Sequence, residues 1–105
     1  MRTGASYVAT PREYEMQSGS DTPITLKGVD GAANILVYKA VVTNKDESGN
    51  LVISVDADNA GLITLFPGQS YTLEPGNQMR FNLSAFTAVD EAHTDALAVH
   101  ILYWM

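Results

Sequence analysis

The sequence lacks cysteine altogether and is poor in charge. With no Cys among its 105 residues, it can form no disulfide and holds no cysteine nucleophile. This absence favours a reducing compartment, or assembly there, over disulfide-stabilised secretion. Charged residues make up 17% of the chain, below the average of about 25% for globular proteins. A sparsely charged surface tolerates association with other proteins better than a densely charged one.

Positive charge is especially scarce. Three Lys and three Arg stand against twelve acidic residues, which gives a formal net charge of −6. Nucleic-acid binding depends on a basic patch that releases counterions from phosphates, and six scattered basic residues cannot form one. The same balance disfavours an anionic membrane surface. We therefore expect neither nucleic acid nor a membrane as a partner.

Long apolar runs are also missing. The longest apolar stretch, residues 96–105, is interrupted by His100 and is far too short to span a bilayer. The first residues lack the apolar core of a signal peptide. The sequence therefore predicts neither a signal peptide nor a transmembrane segment. Its length and its apolar share of 46% predict one folded domain.

The sequence does contain short strand patterns separated by turns. Residues 34–44 are rich in β-branched and aromatic side chains on both faces, which is typical of a strand buried between layers. Residues 78–88 alternate between apolar and polar side chains, as a strand with one solvated face does. The Pro67-Gly68 and Pro75-Gly76 pairs are typical of β-turns. Further strand candidates are residues 6–10, 24–27, 51–55, 62–66, 70–74 and 96–104.

These patterns predict the fold class. Seven to eight short strands, with turn signals at roughly 8–12-residue spacing, are typical of an all-β, antiparallel β-sandwich of jelly-roll or Ig-like type. Residues 1–23 are polar and fit the pattern poorly. We predict an extended N-terminal arm or loop over residues 1–23, with room for one short strand, and a β-sandwich domain over residues 24–105.

No arrangement of residues predicts catalysis. A nucleophile–His–acid system needs a Ser or Cys within hydrogen-bond reach of a histidine, and no Ser stands in a G-x-S-x-G motif. His100 lies within a strand pattern among apolar residues, so we interpret it as a structural or interface histidine. His93 lies in a turn and is interpreted as solvated. We expect no catalytic residue and no enzymatic activity.

Two acidic segments contain residue types that can bind metal ions. Residues 56–61 place oxygen ligands and a glycine as a calcium loop does, but Ala60 and Pro67 stand where ligands are required. The second segment has four candidate ligands in a spacing that matches no known site, namely Asp90, Glu91, His93 and Asp95. The first segment is interpreted as a turn and the second as an acidic loop with a chance histidine. We expect no metal and no cofactor.

One stretch resembles a known class of proteins. Residues 68–77 (GQSYTLEPGN), followed by the strand pattern at 79–83 (MRFNL) and a strand at the C-terminus, resemble small virion proteins of tailed bacteriophages over roughly residues 34–104. Decoration proteins, head-fibre bases and tail adaptors of this kind are often cysteine-free β-sandwiches with an extended N-terminal arm. The resemblance implies a capsid decoration protein or other accessory structural protein, assembled in the host cytoplasm and located in the virion.

The arm and the apolar C-terminus are the expected contact regions. An arm can add a strand to the sheet edge of a neighbour, and an apolar chain end is best explained by burial in the domain or against a partner. We expect other virion proteins and further copies of the chain, for example in a trimer, as partners. The candidate partner-contact residues are Tyr7, Val8, Tyr14, Met16, Tyr103 and Trp104.

Two alternatives stay open. Aromatic side chains on the surface of a β-sandwich can stack on sugar rings, which would make the chain a glycan-binding, lectin-like module. The same side chains can equally point into a core. A small hydrolase is the less favoured alternative and would depend on His93 or His100.

Overall fold

The chain is all-β in the computed structural model, which describes residues 10–54, 62–74 and 80–105. These residues form ten strands and two three-residue 3₁₀ turns at Val29–Gly31 and Leu83–Ala85. The strands are β1 (Pro11–Gln17), β2 (Ile24–Thr25), β3 (Leu36–Val37), β4 (Lys39–Asn44), β5 (Leu51–Ser54), β6 (Leu62–Leu65), β7 (Ser70–Leu73), β8 (Phe81–Asn82), β9 (Thr87–Asp90) and β10 (Ala98–Trp104). Over the described part of the chain, no helix has the length and apolar character needed to cross a membrane.

The strands form three sheets. The first sheet has four strands in the order β1-β10-β4-β7, and the second sheet has four strands in the order β2-β9-β5-β6. A small third sheet pairs β3 with β8. All seven strand pairings are antiparallel. The predicted all-β fold with antiparallel sheets is confirmed. The described strand count of ten exceeds the predicted seven to eight because two-residue strands such as β3 and β8 are too short to produce a sequence pattern.

Pairing follows a nested order in which the first strand pairs with the last, the second with the one before it, and so on to β5 and β6. In all five nested pairs the residue numbers of opposite partners add to between 112 and 118. Examples are Pro11 with Trp104, Ile24 with Ala88, Leu36 with Asn82, Ala40 with Leu73 and Leu51 with Leu65. The chain is thus one long antiparallel ribbon folded at its middle. Two further pairings, β10 with β4 and β5 with β9, roll this ribbon into the two larger sheets.

A single core is shared by the two four-stranded sheets. Burial alternates along β10 and β4, so one face of each strand packs inward, as the two-residue period of a strand requires. Leu51 and Ile53 of β5 and Leu65 of β6 join the same cluster from the other sheet. One core lined by both sheets is compatible with a β-sandwich.

The structure differs from the sequence prediction at the N-terminus. Residues 11–17, predicted as part of an arm or loop, form β1 and pair with β10 along the whole strand, from Pro11 opposite Trp104 to Gln17 opposite Ala98. The polar composition concealed this strand because β1 lies at a sheet edge, where most of its side chains face water. These residues therefore belong to a sheet and are not a free arm. The strand candidate at residues 6–10 lies outside the described residues except for Thr10.

The predicted strand at residues 78–88 is also interrupted. Phe81–Asn82 forms β8, a 3₁₀ turn follows at Leu83–Ala85, and β9 begins at Thr87. The physical cause is local, since the Asn82 side chain accepts a hydrogen bond from the backbone N–H of Ser84 at 2.8 Å and so bends the chain. In the same way, the predicted strand at residues 34–44 is divided at Tyr38 into β3 and β4.

Candidate protein interface

Strand edges meet on one side of the molecule. Among residues 10–54, 62–74 and 80–105, β7 is the edge of one four-stranded sheet and β6 is the edge of the other. The short turn at residues 66–69 joins them, so both edges lie on the same side. We call residues 62–73 the β6–β7 side. An edge strand presents backbone N–H and C=O groups that can pair with another chain.

The turn between the two strands is well defined. The backbone N–H of Gln69 donates to the Phe66 carbonyl oxygen at 2.9 Å, and the Gln69 side-chain oxygen accepts from the Phe66 N–H at 2.9 Å. Gly68 has a φ of 86°, a conformation that favours glycine and matches the third position of a type II turn. The β-turn predicted at Pro67-Gly68 is therefore present.

Asn44 anchors the β6–β7 side from within. Its side chain is fully buried, and its amide donates to the carbonyl oxygens of Gly49 at 2.8 Å and Leu65 at 2.9 Å. Its side-chain oxygen accepts from the backbone N–H of Asp46 at 2.9 Å. Its own backbone exchanges hydrogen bonds with the turn, donating to Gln69 and accepting from Gly68. One residue of β4 therefore ties β6 and the following turn to the body of the protein.

The surface of this side is uncharged and in part apolar. Leu62, Phe66 and Tyr71 are 57%, 54% and 38% exposed, and they are three of the six large hydrophobic residues exposed across residues 10–54, 62–74 and 80–105. Residues 59–73 include no Asp, Glu, Lys, Arg or His. In a chain with a net charge of −6, such a region can approach another acidic protein with little electrostatic repulsion.

A shallow groove continues this surface onto the outer face of the second sheet. It has a volume of about 410 Å³. The groove is lined by Pro23, Val52, Leu62, Thr64, Val89, Glu91 and His93. His93 has a φ of 59°, and its Nδ1 lies 3.0 Å from the carbonyl oxygen of Asp21. Since Leu62 and Thr64 belong to β6, the groove and the β6–β7 side form one continuous surface.

A second cavity, of about 320 Å³, is acidic and lies beside the loop that follows β9. Two of the carboxylates that line it accept hydrogen bonds from backbone N–H groups of the protein. Asp46 accepts backbone N–H bonds from Ser48 at 3.1 Å and Gly49 at 2.8 Å. Asp90 accepts backbone bonds from Asp95 at 3.0 Å, Thr94 at 3.1 Å and Ala92 at 3.2 Å. Within the described ranges, no group of three or more His, Cys, Asp or Glu residues is placed to hold a metal ion.

The bonds to Asp90 change its acidity. The backbone N–H of Asp95 makes the largest contribution and lowers the pKa of the Asp90 carboxyl below its ordinary value. Burial raises the pKa, and the remaining bonds from Thr94 and Ala92 lower it further. The net direction is downward because the hydrogen bonds stabilise the ionised form. Asp90 is thus a structural carboxylate that organises the loop after β9.

His100 is tied to the neighbouring strand. Its Nε2 lies 3.0 Å from the Oε1 of Glu13, with the histidine side chain 23% exposed and the glutamate 72% exposed. The contact joins the outer surfaces of β10 and β1. The structure therefore gives His100 a contact between strands, and it gives His93 a contact with the backbone of Asp21.

The predicted partner-contact residues are placed mainly in the first sheet. Tyr7 and Val8 lie outside the described residues. Met16 and Tyr103 are buried in the core, and the Tyr103 hydroxyl accepts from the backbone N–H of Val29 at 3.1 Å. Because their strands turn these side chains inward, their burial gives them a packing role in place of the surface contact that the sequence suggested. Tyr14 is half-buried against the core.

Trp104, the last residue of β10, is half-buried. The Lys39 ammonium lies 5.1 Å from the centroid of its ring, a cation–π arrangement. The described contact candidates thus gather on β1 and β10, away from the β6–β7 side.

Reasoning from the sequence missed the residues that the structure exposes on the β6–β7 side. The sequence patterns place Leu62, Phe66 and Tyr71 in strands and mark only Tyr71 for a further role, as one of the aromatic side chains that could stack on sugars. Alternation alone does not reveal which strand becomes an edge. One signal was available, since the uncharged stretch at residues 59–73 coincides with both edge strands.

Comparison of the chain with protein-family models, with curated proteins and with solved structures yields no match. Function is therefore inferred from the geometry and chemistry of the molecule itself.

Proposed function

We propose that the chain is a structural assembly subunit that acts through protein–protein contacts. The observation that carries this proposal is the β6–β7 side, where two adjacent strand edges are uncharged and expose large apolar side chains on an otherwise acidic protein. Soluble proteins usually protect such edges with charge, proline or a covering element. An edge without charge is suited to contact with a partner.

We further propose that this assembly is a tailed-phage particle, in which the chain serves as a capsid decoration protein or another accessory component. This part rests on the resemblance of residues 34–104 to small phage virion proteins. A homo-oligomer, for example a trimer, and contacts with other virion proteins belong to the same proposal.

The topology that we infer is a β-sandwich of the jelly-roll type. Support comes from the strand order once β3 and β8 are set aside. The remaining eight strands then run first-eighth-third-sixth in one sheet and second-seventh-fourth-fifth in the other, the order produced by rolling up a nested ribbon. Jelly rolls are found in viral capsid domains and also in lectins, so the fold is compatible with the proposal and does not select it.

The glycan-binding alternative requires ring faces that are free to stack on sugars. The described aromatic residues offer few of these. Trp104 is covered by Lys39, Arg80 lies 5.4 Å from the Tyr38 ring centroid, and Tyr103 is buried. Phe66 and Tyr71 stay exposed, but they lie on strand edges that favour protein partners.

Sedimentation of the full chain tests the proposal. We expect the protein to form oligomers, or to co-sediment with phage capsids, and not to bind a glycan array. The gene neighbourhood tests the phage component separately, since adjacent portal, capsid and tail genes are expected. A protein that stays monomeric at all concentrations and binds no particle would overturn the assembly function. Glycan binding by such a monomer would favour the alternative.

A further inference from the structure

We propose that β7 pairs antiparallel with β7 of a second copy of this chain, about a two-fold axis perpendicular to the sheet. The pairing would join two four-stranded sheets into one continuous eight-stranded sheet. This inference rests on the proposed assembly function and names its partner and contact strand.

The backbone of β7 supports strand addition. On one side its residues pair with β4, from Ala40 opposite Leu73 to Thr43 opposite Ser70. Among the described residues the other side is the sheet edge. In an antiparallel sheet, alternate residues direct their N–H and C=O groups to each side. Half of the backbone groups of β7 therefore point away from β4 and can pair with another strand.

The side chains of β7 favour this pairing. The strand reads Ser-Tyr-Thr-Leu and is bounded by Gln69 and Glu74. Tyrosine and threonine have high β-propensity, and the strand itself contains no proline and no charge to block an incoming strand. Its position is fixed in advance by β4 and by the Asn44-anchored turn, which lowers the entropic cost of association.

The distribution of charge over the chain favours pairing of two copies at β7 over pairing at β1. Each copy carries a net charge of −6, so two copies repel unless they meet through a neutral surface. The β6–β7 side is such a surface. The opposite edge of the same sheet, β1, carries Arg12, Glu13 and Glu15, and pairing two copies there would bring together four carboxylates and only two guanidinium groups. Like charges placed across a strand pair are destabilising.

Symmetry restricts the register of the pair. Residues directly opposite each other in an antiparallel pair point to the same face. A two-fold axis perpendicular to the sheet keeps equivalent residues on the same face. The axis must therefore pass midway between one residue and its own copy, which lie directly opposite each other. The registers that pair most of this short strand place either Tyr71 or Thr72 at the axis.

Contact area decides how strong the dimer is. A four-residue strand is short, and a stable interface buries at least roughly 1,200 Å² in total. Phe66 and Leu62, both more than half exposed, lie on the same side and add apolar area. We therefore expect a dissociation constant on the order of micromolar rather than nanomolar.

Single cysteines provide a direct test because the chain contains none of its own. We expect Tyr71→Cys or Thr72→Cys, under mild oxidation, to form a disulfide-linked dimer, since directly opposite Cβ atoms lie within about 4.5–5.5 Å. Glu15→Cys, at an exposed position on the β1 edge, is the matched control and should stay unlinked. Equal cross-linking at both edges, or none at residues 71 and 72, would overturn the inference.

A charge variant gives an independent readout. Thr72→Lys places like charges near the axis in both copies, so the dissociation constant measured by sedimentation velocity should rise at least about tenfold. Circular dichroism establishes that the variant is folded. Oligomers that persist unchanged in Thr72→Lys would contradict the β7 contact and leave the assembly function standing. A wild-type chain that is always monomeric and binds no particle would remove both.

Amide hydrogen exchange separates the possible occupants of the edge. Protection at residues 70–73 should increase with the concentration of the chain. The alternative outcome is protection that requires an added glycan and shows no dependence on chain concentration. That result would mean that a sugar ligand covers the edge in place of a second copy, and it would overturn the inference.

Discussion

The two edges of the first sheet are built in opposite ways. β1 begins with Pro11, carries Arg12, Glu13 and Glu15, and pairs with β10 over all seven of its residues. β7 has four residues, no charge and an exposed Tyr71. Charge and proline are the usual means by which a strand edge is protected from pairing with another chain. The comparison indicates that one edge is a boundary of the protein and that the other is available for contact.

The edges also differ in how they are held. The β7 edge depends on a buried polar residue, Asn44, whose amide bonds reach Gly49 and Leu65. The β1 edge depends on close backbone packing where the chain passes into the second sheet. There, Gly19 forms a bridge with Val89, and the backbone N–H of Ser18 donates to the Leu97 carbonyl at 2.8 Å. Substitutions at these two points should separate the contributions of the two edges.

The largest effect is expected at Asn44. Asn44→Ala removes three side-chain hydrogen bonds and leaves buried carbonyl and N–H groups unpaired, so the free energy of unfolding should fall by about 4 kcal/mol. Urea denaturation measures the loss, and hydrogen exchange should locate it in β6 and β7. Asn82→Ala is the matched control, because its partly buried side chain caps one 3₁₀ turn and its loss should cost about 1 kcal/mol. Equal losses in the two variants would contradict the anchoring role.

The next effect tests the β1 edge. A methyl group at buried Gly19 would overlap the carbonyl group of Thr22. Gly19→Ala should therefore lower the free energy of unfolding by about 3 kcal/mol, the upper range for overpacking. Gly31→Ala is the control, since Gly31 has a positive φ of 73° but open space around it and should lose only about 1 kcal/mol. A tolerated Gly19→Ala, measured by urea denaturation, would show that the passage between the sheets is not tightly packed.

Acid should weaken β9, which lies in the sheet that neither β1 nor β7 joins. Because the pKa of Asp90 is lower in the folded protein than its ordinary value of 3.8, its stabilising contribution is complete above that ordinary value. The contribution is lost as the pH falls through the lower folded pKa. Urea denaturation from pH 7 to pH 2 should show this loss, and Asp90→Asn should reduce it. Glu47→Gln, at an exposed turn residue, should leave it unchanged.

The smallest effect concerns the contact between Glu13 and His100. Glu13→Gln should lower the free energy of unfolding by less than about 1 kcal/mol, because the glutamate is largely exposed and such pairs are weak. Where the histidine is protonated, high salt should reduce the difference further through screening. Glu15→Gln on the same strand is the control. A loss of several kcal/mol, or one that salt does not change, would mean that this pair holds β1 in place.

Much of the strand content was predictable from the sequence, for identifiable reasons. Residues 51–55, 62–66, 70–74 and 96–104 predicted strands that the structure contains at β5, β6, β7 and β10. Hydrophobic periodicity supported these predictions because the side chains of each strand point alternately into the core and toward the outer surface. The turn at Pro67-Gly68 followed from the conformational preferences of the two residues.

The rest depended on information that is not local. β1 was missed because its edge position removes the apolar alternation, leaving only Tyr14 and Met16 as inward residues. Nested pairing could not be predicted because every nested pair except β5 with β6 joins strands that are far apart in the sequence. For the same reason the β6–β7 side was missed, since being an edge is a property of the sheet and not of the strand. The uncharged stretch at residues 59–73 was the single local signal of it.

The nested pairing also constrains the order in which the protein can form. Once β5 and β6 have met, each outer pair needs to close only the short remaining loop, whereas β1 and β10 could otherwise meet only by closing nearly the whole chain. Loop-closure entropy grows with the number of free residues, so we expect folding to proceed from the middle of the chain outward. Such non-local strand pairing is slow, on a time scale of milliseconds to seconds. During that time β7 is already in place beside β4 while β1 is still unpaired, so the contact edge exists before the protected edge does.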